Sequence, residues 1–412
     1  MTWALPAIAG ALLVFAMVSG RLAGTPITPP IVFTIAGLLL GTQFADVIDV
    51  EVAGESVKLL AEVTLGLVLF ADASKVNVSA LRSEIMIPER LLGIGLPLTI
   101  AAGFGAALVV LGDLAWPEAL LLAVILAPTD AALGQAVVIL PSLPSKIRQG
   151  LNVESGLNDG ICVPVFLIVL AIAHAESGAI GGGTAVRLLA EQIGYGALAG
   201  AVAGFVAAAI TVYAGRRGWI EPMWGPIIPV AAALLAYTCA TPLGGSGFIA
   251  AFVGGLVFGA ILQENHEADP ARLIDEFGDI FSAITFMVFG AVLLGPALTE
   301  LSWAMAGYAL LSLTFIRMVP VAMSLVKSGA RLPTVAFLGW FGPRGLATIV
   351  FIILVLEEHD ELPGETLLVT TAVLTVGLSI LLHGVTAAPL ADRYAKWFAA
   401  NPPEGSPKNA AR

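Results

Sequence analysis

Ala127-Pro128-Thr129-Asp130, followed by Glu154-Ser155-Gly156-Leu157-Asn158-Asp159, is the stretch on which the reading of this chain turns. Both segments fall inside apolar runs long enough to cross a bilayer, so Asp130, Glu154 and Asp159 stand where hydrocarbon would surround them. An ionised carboxylate at the bilayer centre costs roughly 2.5–3.5 kcal/mol on insertion scales. Chains that carry such groups direct them inward, towards water or a bound ion.

Composition supports a membrane setting. The chain has 412 residues, of which 58% are hydrophobic and 12% charged, with a mean hydropathy of +0.95. Soluble domains carry about 25% charged residues, so the fold class is an all-α polytopic membrane protein. A net charge of -11, with no basic stretch interleaved with aromatics, argues against a nucleic-acid partner. Cys162 and Cys239 both lie in apolar runs and read as packing residues. His174, His266 and His359 form no metal-ligand spacing. Nothing resembles a phosphate-binding loop, a dinucleotide fingerprint or a Ser/His/Asp set, so neither a cofactor nor an enzymatic activity is expected. The first apolar run precedes Arg21 and has no basic segment before it, which reads as a retained span.

Apolar runs recur at approximately 3–20, 26–44, 55–74, 88–112, 116–140, 147–173, 184–214, 219–240, 244–263, 274–295, 299–326, 333–356 and 366–390, thirteen in all. With the N-terminus outside, the inward loops and tail hold 15 of the 19 Lys and Arg, among them Arg90, Lys146, Arg216, Arg217, Lys327 and Arg331. The acidic runs 46–55 and 357–365 then face outward. This bias fits an odd number of spans, N-terminus out and C-terminus in. Residues 399–412 read as a short cytoplasmic tail.

Span twelve carries Gly342-Pro343-Arg344-Gly345, an echo of the Pro128 segment in span five. Each places a proline mid-span beside a charge and small residues. Seven spans separate them, so the two helices run in opposite directions. Interrupted helices at matching places of inverted halves point to a transporter's central site. Pro128 removes a backbone donor and frees carbonyls beside Thr129 and Asp130, an all-oxygen setting that suits hard monovalent cations. The plainer reading is a structural kink in which Asp130 caps the restarted helix.

In span six, Glu154 and Asn158 are four apart, as are Ser155 and Asp159, so the two pairs stack on adjacent parts of one helix side. Ser155 and Asp159 can face the Asp130 patch. Neighbouring carboxylates in a poorly solvated cavity raise one another's proton affinity and titrate jointly. Such a site holds protons or a cation and resists being empty. Glu154 points away from that patch and needs a cation; Arg317 in span eleven is the natural partner and Arg344 the other candidate. Arg344 can also neutralise carbonyls freed by a broken helix. Asp72, at the end of span three, either lines a cytoplasmic funnel or is an interfacial carboxylate, and His383 reads as a helix-packing histidine before a pH sensor.

These residues, with Arg317 followed by Pro320, the Gly342–Gly345 segment and Leu382-His383-Gly384, resemble the monovalent cation:proton antiporter family in its NhaP-type Na+/H+ exchanger branch. The ordered set spans most of the chain. The resemblance implies thirteen transmembrane helices in inverted repeats, with spans five and twelve as interrupted crossing helices. It implies a core domain at about 88–173 and 299–390 and a dimerisation domain at about 3–74 and 219–295. By the same resemblance Asp130 and Asp159 are the cation- and proton-binding carboxylates, and Thr129 and Ser155 further ligands of Na+. Asn158 orients the site, Glu154 and Arg317 form a structural ion pair, and Arg344 and Asp72 are accessory. An Asn158-Asp159 pair is associated with electroneutral exchange. The expected protein is a homodimeric Na+(Li+)/H+ antiporter of a prokaryotic cytoplasmic membrane, since the chain shows no long cytoplasmic tail. K+/H+ exchange is the alternative within the class. A gated cation channel is the alternative outside it, though no filter loop of clustered carbonyls is evident.

Overall fold

The computed structural model describes residues 3–22, 25–48, 54–76, 86–130, 133, 143–176, 182–264, 271–357 and 362–401. All its extended elements are helices; among the described residues the only β feature is one isolated bridge between Gly41 and Ile48. In chain order these are α1 (Ala4–Leu22), α2 (Pro29–Leu40), α3 (Glu55–Ser74), α4 (Met86–Val110, with a π segment at Leu91–Gly95) and α5 (Trp116–Ile125). Next come α6 (Ser145–Glu176), α7 (Gly182–Arg216), α8 (Ile227–Ala240), α9 (Gly247–Glu264) and α10 (Ala271–Val288, continued as a π segment through Leu294). The last five are α11 (Trp303–Leu313), α12 (Phe315–Ser324), α13 (Leu332–Trp340), α14 (Leu346–Glu357) and α15 (Glu365–Ala400). Eight described helical stretches are long and apolar enough to cross a membrane.

Local chemistry sets several boundaries. Pro29 and Pro30 start α2, where a missing amide costs nothing. At the head of α5 the Glu118 carboxylate accepts from Ala115 N at 2.8 Å and from Gly364 N at 2.6 Å, tying that helix to the turn before α15. Ser302 accepts from Met305 N at the head of α11. Gly218, at φ +66°, follows α7 in the left-handed conformation.

Three expected spans differ in extent. Run 219–240 begins its helix only at Ile227, because Gly218, Pro222 and Pro226 hold the preceding residues in turns. Run 299–326 is divided at Thr314, whose backbone leaves the helical region at φ −113°, ψ −95°. Run 366–390 continues as helix to Ala400. Its extension is amphipathic: Lys396 pairs with Asp392 at 2.6 Å on the exposed side, while Tyr394 packs on Phe337 with ring centroids 4.3 Å apart. Most of the second half of span five (131–140), along with Arg82, His266, His359 and the tail from 402, lies outside the described residues.

Glycines let helices meet backbone to backbone. A Cβ on Gly200 of α7 would stand 2.3 Å from Ala250 O of α9, and one on Gly259 of α9 would stand 2.0 Å from Ser74 O of α3. Small residues at helix interfaces give this close approach in membranes, where dispersion and not water exclusion drives packing. Phe166 of α6 stacks on Phe351 of α14, centroids 4.4 Å apart, which brings the helix carrying Glu154–Asp159 against the one that follows Gly345.

Candidate ion-binding site

Residues 126–130 and 341–345 are both without helical geometry, and the two segments lie against each other. Asp130 N donates to Pro343 O at 2.8 Å, and Asp130 Oδ2 accepts from Leu346 N at 2.8 Å. The carboxylate therefore caps the N-terminus of α14, a helix more than 200 residues away in sequence. Capping of its own restarted helix falls on residues outside those described. A carboxylate at a helix N-terminus is stabilised by the free amides and the dipole there. Gly345 makes the approach possible: any Cβ on it would stand 2.0 Å from Asp130 Oδ2.

Arg344 closes the arrangement. Its buried guanidinium donates through Nη1 to Ala127 O and Pro128 O, each at 3.3 Å, and to Gly342 O at 3.1 Å. Those are carbonyls of the two non-helical segments themselves. Thr348, one turn into α14, donates to Ile125 O at 3.0 Å, satisfying the last carbonyl of α5.

From the other side α6 presents its polar face. Asn158 Nδ2 donates to Thr129 Oγ1 at 2.6 Å while its Oδ1 accepts from Thr129 N at 3.3 Å, so one amide clasps Thr129 twice. Ser155 Oγ donates to Thr129 O. Asp159 is buried one residue further, and its Oδ1 makes no hydrogen bond among the described residues. Asp130, Asp159 and Asp72 are close enough to act electrostatically on one another. Asp72 of α3 lies against Gly156, where a Cβ would come within 3.0 Å of its own Cβ, and Lys75 stands 3.7 Å from its carboxylate. Lys75 also pairs with Asp275 of α10 at 2.5 Å.

Glu154 points away from this cluster. Its carboxylate accepts from Arg317 Nη2, and both side chains are buried. The structure thus brings Thr129, Asp130, Ser155, Asn158, Asp159, Arg344 and Asp72 around the two breaks and places Glu154 with Arg317 beside them. His383 is buried on α15, off the carboxylate cluster.

Sequence reasoning passed over Gly345 as a space requirement, gave Thr348 no role of its own, and passed over Ser379 altogether. A signal for Ser379 exists: Thr371, Thr375, Ser379 and His383 recur every fourth residue and all four are fully buried. That is a polar stripe on one face of α15. The arrangement as a whole gathers oxygen atoms around two carboxylates, one of them buried with an unengaged oxygen. Chemically it can hold a hard monovalent cation or protons.

Comparison with known proteins agrees with that chemistry. Residues 8–393 match the family described as sodium/hydrogen exchanger, transmembrane. A K(+)/H(+) antiporter NhaP of Alkalimonas amylolytica is 25% identical over 397 residues, covering 96% of this chain and 66% of that protein. A K(+)/H(+) antiporter NhaP2 of Shewanella oneidensis is 26% identical over 339 residues, covering 81% of this chain and 57% of that protein. A Na(+)/H(+) antiporter NhaG of Bacillus atrophaeus is 26% identical over 378 residues, covering 89% and 70%. The chain thus spans less than two thirds of the first two relatives' length. In fold it is similar to the sodium proton antiporter MjNhaP1 from Methanocaldococcus jannaschii, with a TM-score of 0.78 at 20% identity, covering 96% of this chain and 98% of that one.

Proposed function

We propose, from the premise that this chain belongs to the transmembrane sodium/hydrogen exchanger family, that it is a secondary-active antiporter exchanging a monovalent cation for protons. The observation that carries the reading is the Asp130–Asp159 site. Two carboxylates sit among the oxygens of Thr129 and Ser155, and Asp159 Oδ1 is buried with no hydrogen bond among the described residues. Such an oxygen is costly unless protonated or bound to a cation. Protons and cation therefore compete for one place, and competition at a single site is what couples their fluxes.

Asn158 holds Thr129 in register with the carboxylates, and Arg344 offsets the carbonyls that the breaks leave unpaired. Glu154 and Arg317 neutralise each other and take no part in ion exchange. In the proposed architecture thirteen spans form inverted repeats, with spans five and twelve as interrupted crossing helices. A core domain of about 88–173 and 299–390 would move against a dimerisation domain of about 3–74 and 219–295 in a homodimer. The protein would lie in a prokaryotic cytoplasmic membrane, N-terminus out, and need no cofactor. Sodium (with lithium) is the proposed cation, bound by Thr129, Asp130, Ser155 and Asp159, in electroneutral exchange. Potassium is the second reading, favoured by the names of two of the relatives.

Proton movement in everted vesicles tests the mechanism. Addition of NaCl, LiCl or KCl to wild-type vesicles should release the acid-inside gradient, and the cation that does so at lowest concentration is the substrate. Asp159→Asn should abolish the response to all three at unchanged expression. A retained response would sink the shared-site mechanism, and cation flux without proton movement would favour a channel.

A further inference from the structure

His383 takes no part in the carboxylate cluster, yet its ring spans the second break. Nε2 lies 3.0 Å from the carbonyl of Trp340, the last residue of α13; that carbonyl also accepts from Gly342 N at 2.9 Å. On the other edge, Nδ1 lies 3.2 Å from Ser379 Oγ, and that hydroxyl accepts from Arg344 N at 2.7 Å. Nε2 faces only a carbonyl, which accepts, whereas Nδ1 faces a hydroxyl that can donate. The neutral tautomer that satisfies both nitrogens therefore carries its proton on Nε2 and leaves Nδ1 as an acceptor. Nδ1 also lies 3.1 Å from Ser379 O. With its proton on Nε2 the ring has no hydrogen at Nδ1 to give that carbonyl, so the hydroxyl is the partner that completes the chain. The order is Arg344 N–H to Ser379 Oγ, Ser379 O–H to His383 Nδ1, and His383 Nε2–H to Trp340 O.

One turn of α15 therefore grips both lips of a gap only five residues wide. Directly beyond the gap lies the site itself: the Arg344 guanidinium on Ala127 O and Pro128 O, and Leu346 N on Asp130 Oδ2. A shift of about an ångström in either lip would lengthen the 2.8 Å Leu346–Asp130 bond beyond useful range. A packing histidine would need none of these bonds, because a phenylalanine ring fills comparable space.

We propose that His383 is a positioning residue for cation binding: through Ser379 and Trp340 it sets the spacing of residues 341–345 and so the placement of Asp130. This rests on the antiport reading of the Asp130–Asp159 site. The test uses the whole purified chain in proteoliposomes, with Na+ as the probe, or K+ if K+ drives the wild type. In His383→Phe the half-saturating cation concentration rises about tenfold, the scale of one buried hydrogen bond lost, with a smaller fall in maximal rate. His383→Gln, whose amide places an N–H near the position of Nε2, restores most of the affinity. Ser379→Ala gives a smaller rise of the same kind. Hydrogen–deuterium exchange over residues 341–346 increases in His383→Phe and Ser379→Ala, while peptides of α7 exchange as in the wild type.

Unchanged half-saturation in either folded variant overturns the proposal. So does a loss of rate that tracks thermal stability and that glutamine fails to restore. If His383→Phe does not fold, Ser379→Ala and His383→Gln carry the same comparison. Should the wild type move no protons on cation addition, the antiport reading fails. Exchange over 341–346 then decides the positioning claim by itself, supporting it if raised and overturning it if unchanged.

Discussion

Glu154 and Asp159 lie five residues apart on one helix and meet opposite fates, which is where single side chains decide the chemistry. Glu154 faces Arg317, and each ion neutralises the other in a site neither water nor lipid reaches. Asp159 faces the breaks and keeps an oxygen without a hydrogen-bond partner among the described residues. On the proposed reading the paired ion is structural and the one held ready to bind is functional. Removing Glu154 would leave a buried guanidinium without its partner, which is expensive. Truncating one member of a buried pair costs about 3–5 kcal/mol. Glu154→Ala should therefore lower the thermal midpoint of detergent-purified protein sharply. Glu154→Ala combined with Arg317→Met should recover much of the loss, because the double variant buries no unpaired charge. If single and double variants melt together, the pair is not what holds α6 to α12.

Several helix contacts rest on glycines. Along α7, Gly196, Gly200 and Gly204 recur every fourth residue and press on α9. A Cβ at Gly200 would meet the backbone oxygen of Ala250 at 2.3 Å, and backbone cannot yield as a flexible side chain does. Gly10 on α1 has nothing within 4 Å of such a Cβ. Gly200→Val should thus destabilise by about 1–3 kcal/mol, the usual cost of overpacking, whereas Gly10→Val should melt as wild type. Equal midpoints would mean that α7 and α9 are not in contact in the membrane. The same logic explains why the two non-helical segments are tolerated. Arg344, Thr348, Asp130 and Asn158 pair with the backbone groups those segments release, and unsatisfied backbone is what hydrocarbon forbids.

At the scale of the whole molecule the chain is a multi-span membrane protein, and the distribution of its Lys and Arg predicts which loops face the cytoplasm. Ten proposed spans precede Glu300 and seven precede Glu221, and each residue lies ahead of the helix of its own span (α11 from Trp303, α8 from Ile227), so the two belong on opposite sides; both are exposed. In a background with Cys162 and Cys239 replaced by Ala, Glu300→Cys should react with an impermeant maleimide in intact cells. Glu221→Cys should react only in everted vesicles. Labelling of both from the same side would remove the odd span count between them and with it the inverted-repeat scheme. Near the start of α3 Lys58 stands 2.8 Å from Glu357 of α14. Asp72, four turns along α3, borders the site beside Gly156. One helix of the proposed dimerisation domain thus touches the proposed core domain at two levels, about four turns apart.

What the sequence determined by itself was local or additive. Hydropathy and charge add residue by residue, so the membrane class and the inside–outside bias of Lys and Arg are legible without coordinates. Helical spacing is local too, which is why Ser155 and Asp159, or Glu154 and Asn158, can be assigned to one side of α6 from their numbers. Proline marks where a helix loses a donor, so Pro128 and Pro343 announce the breaks. Only the tertiary structure decided what the breaks do to each other. Asp130 caps Leu346, Arg344 answers the carbonyls of Ala127 and Pro128, and His383 holds Trp340. In each of these the partner is a backbone amide or carbonyl, which every residue type carries. Such a partner leaves no mark in the sequence, and contacts between segments 43 to 217 residues apart are fixed by packing of the whole bundle.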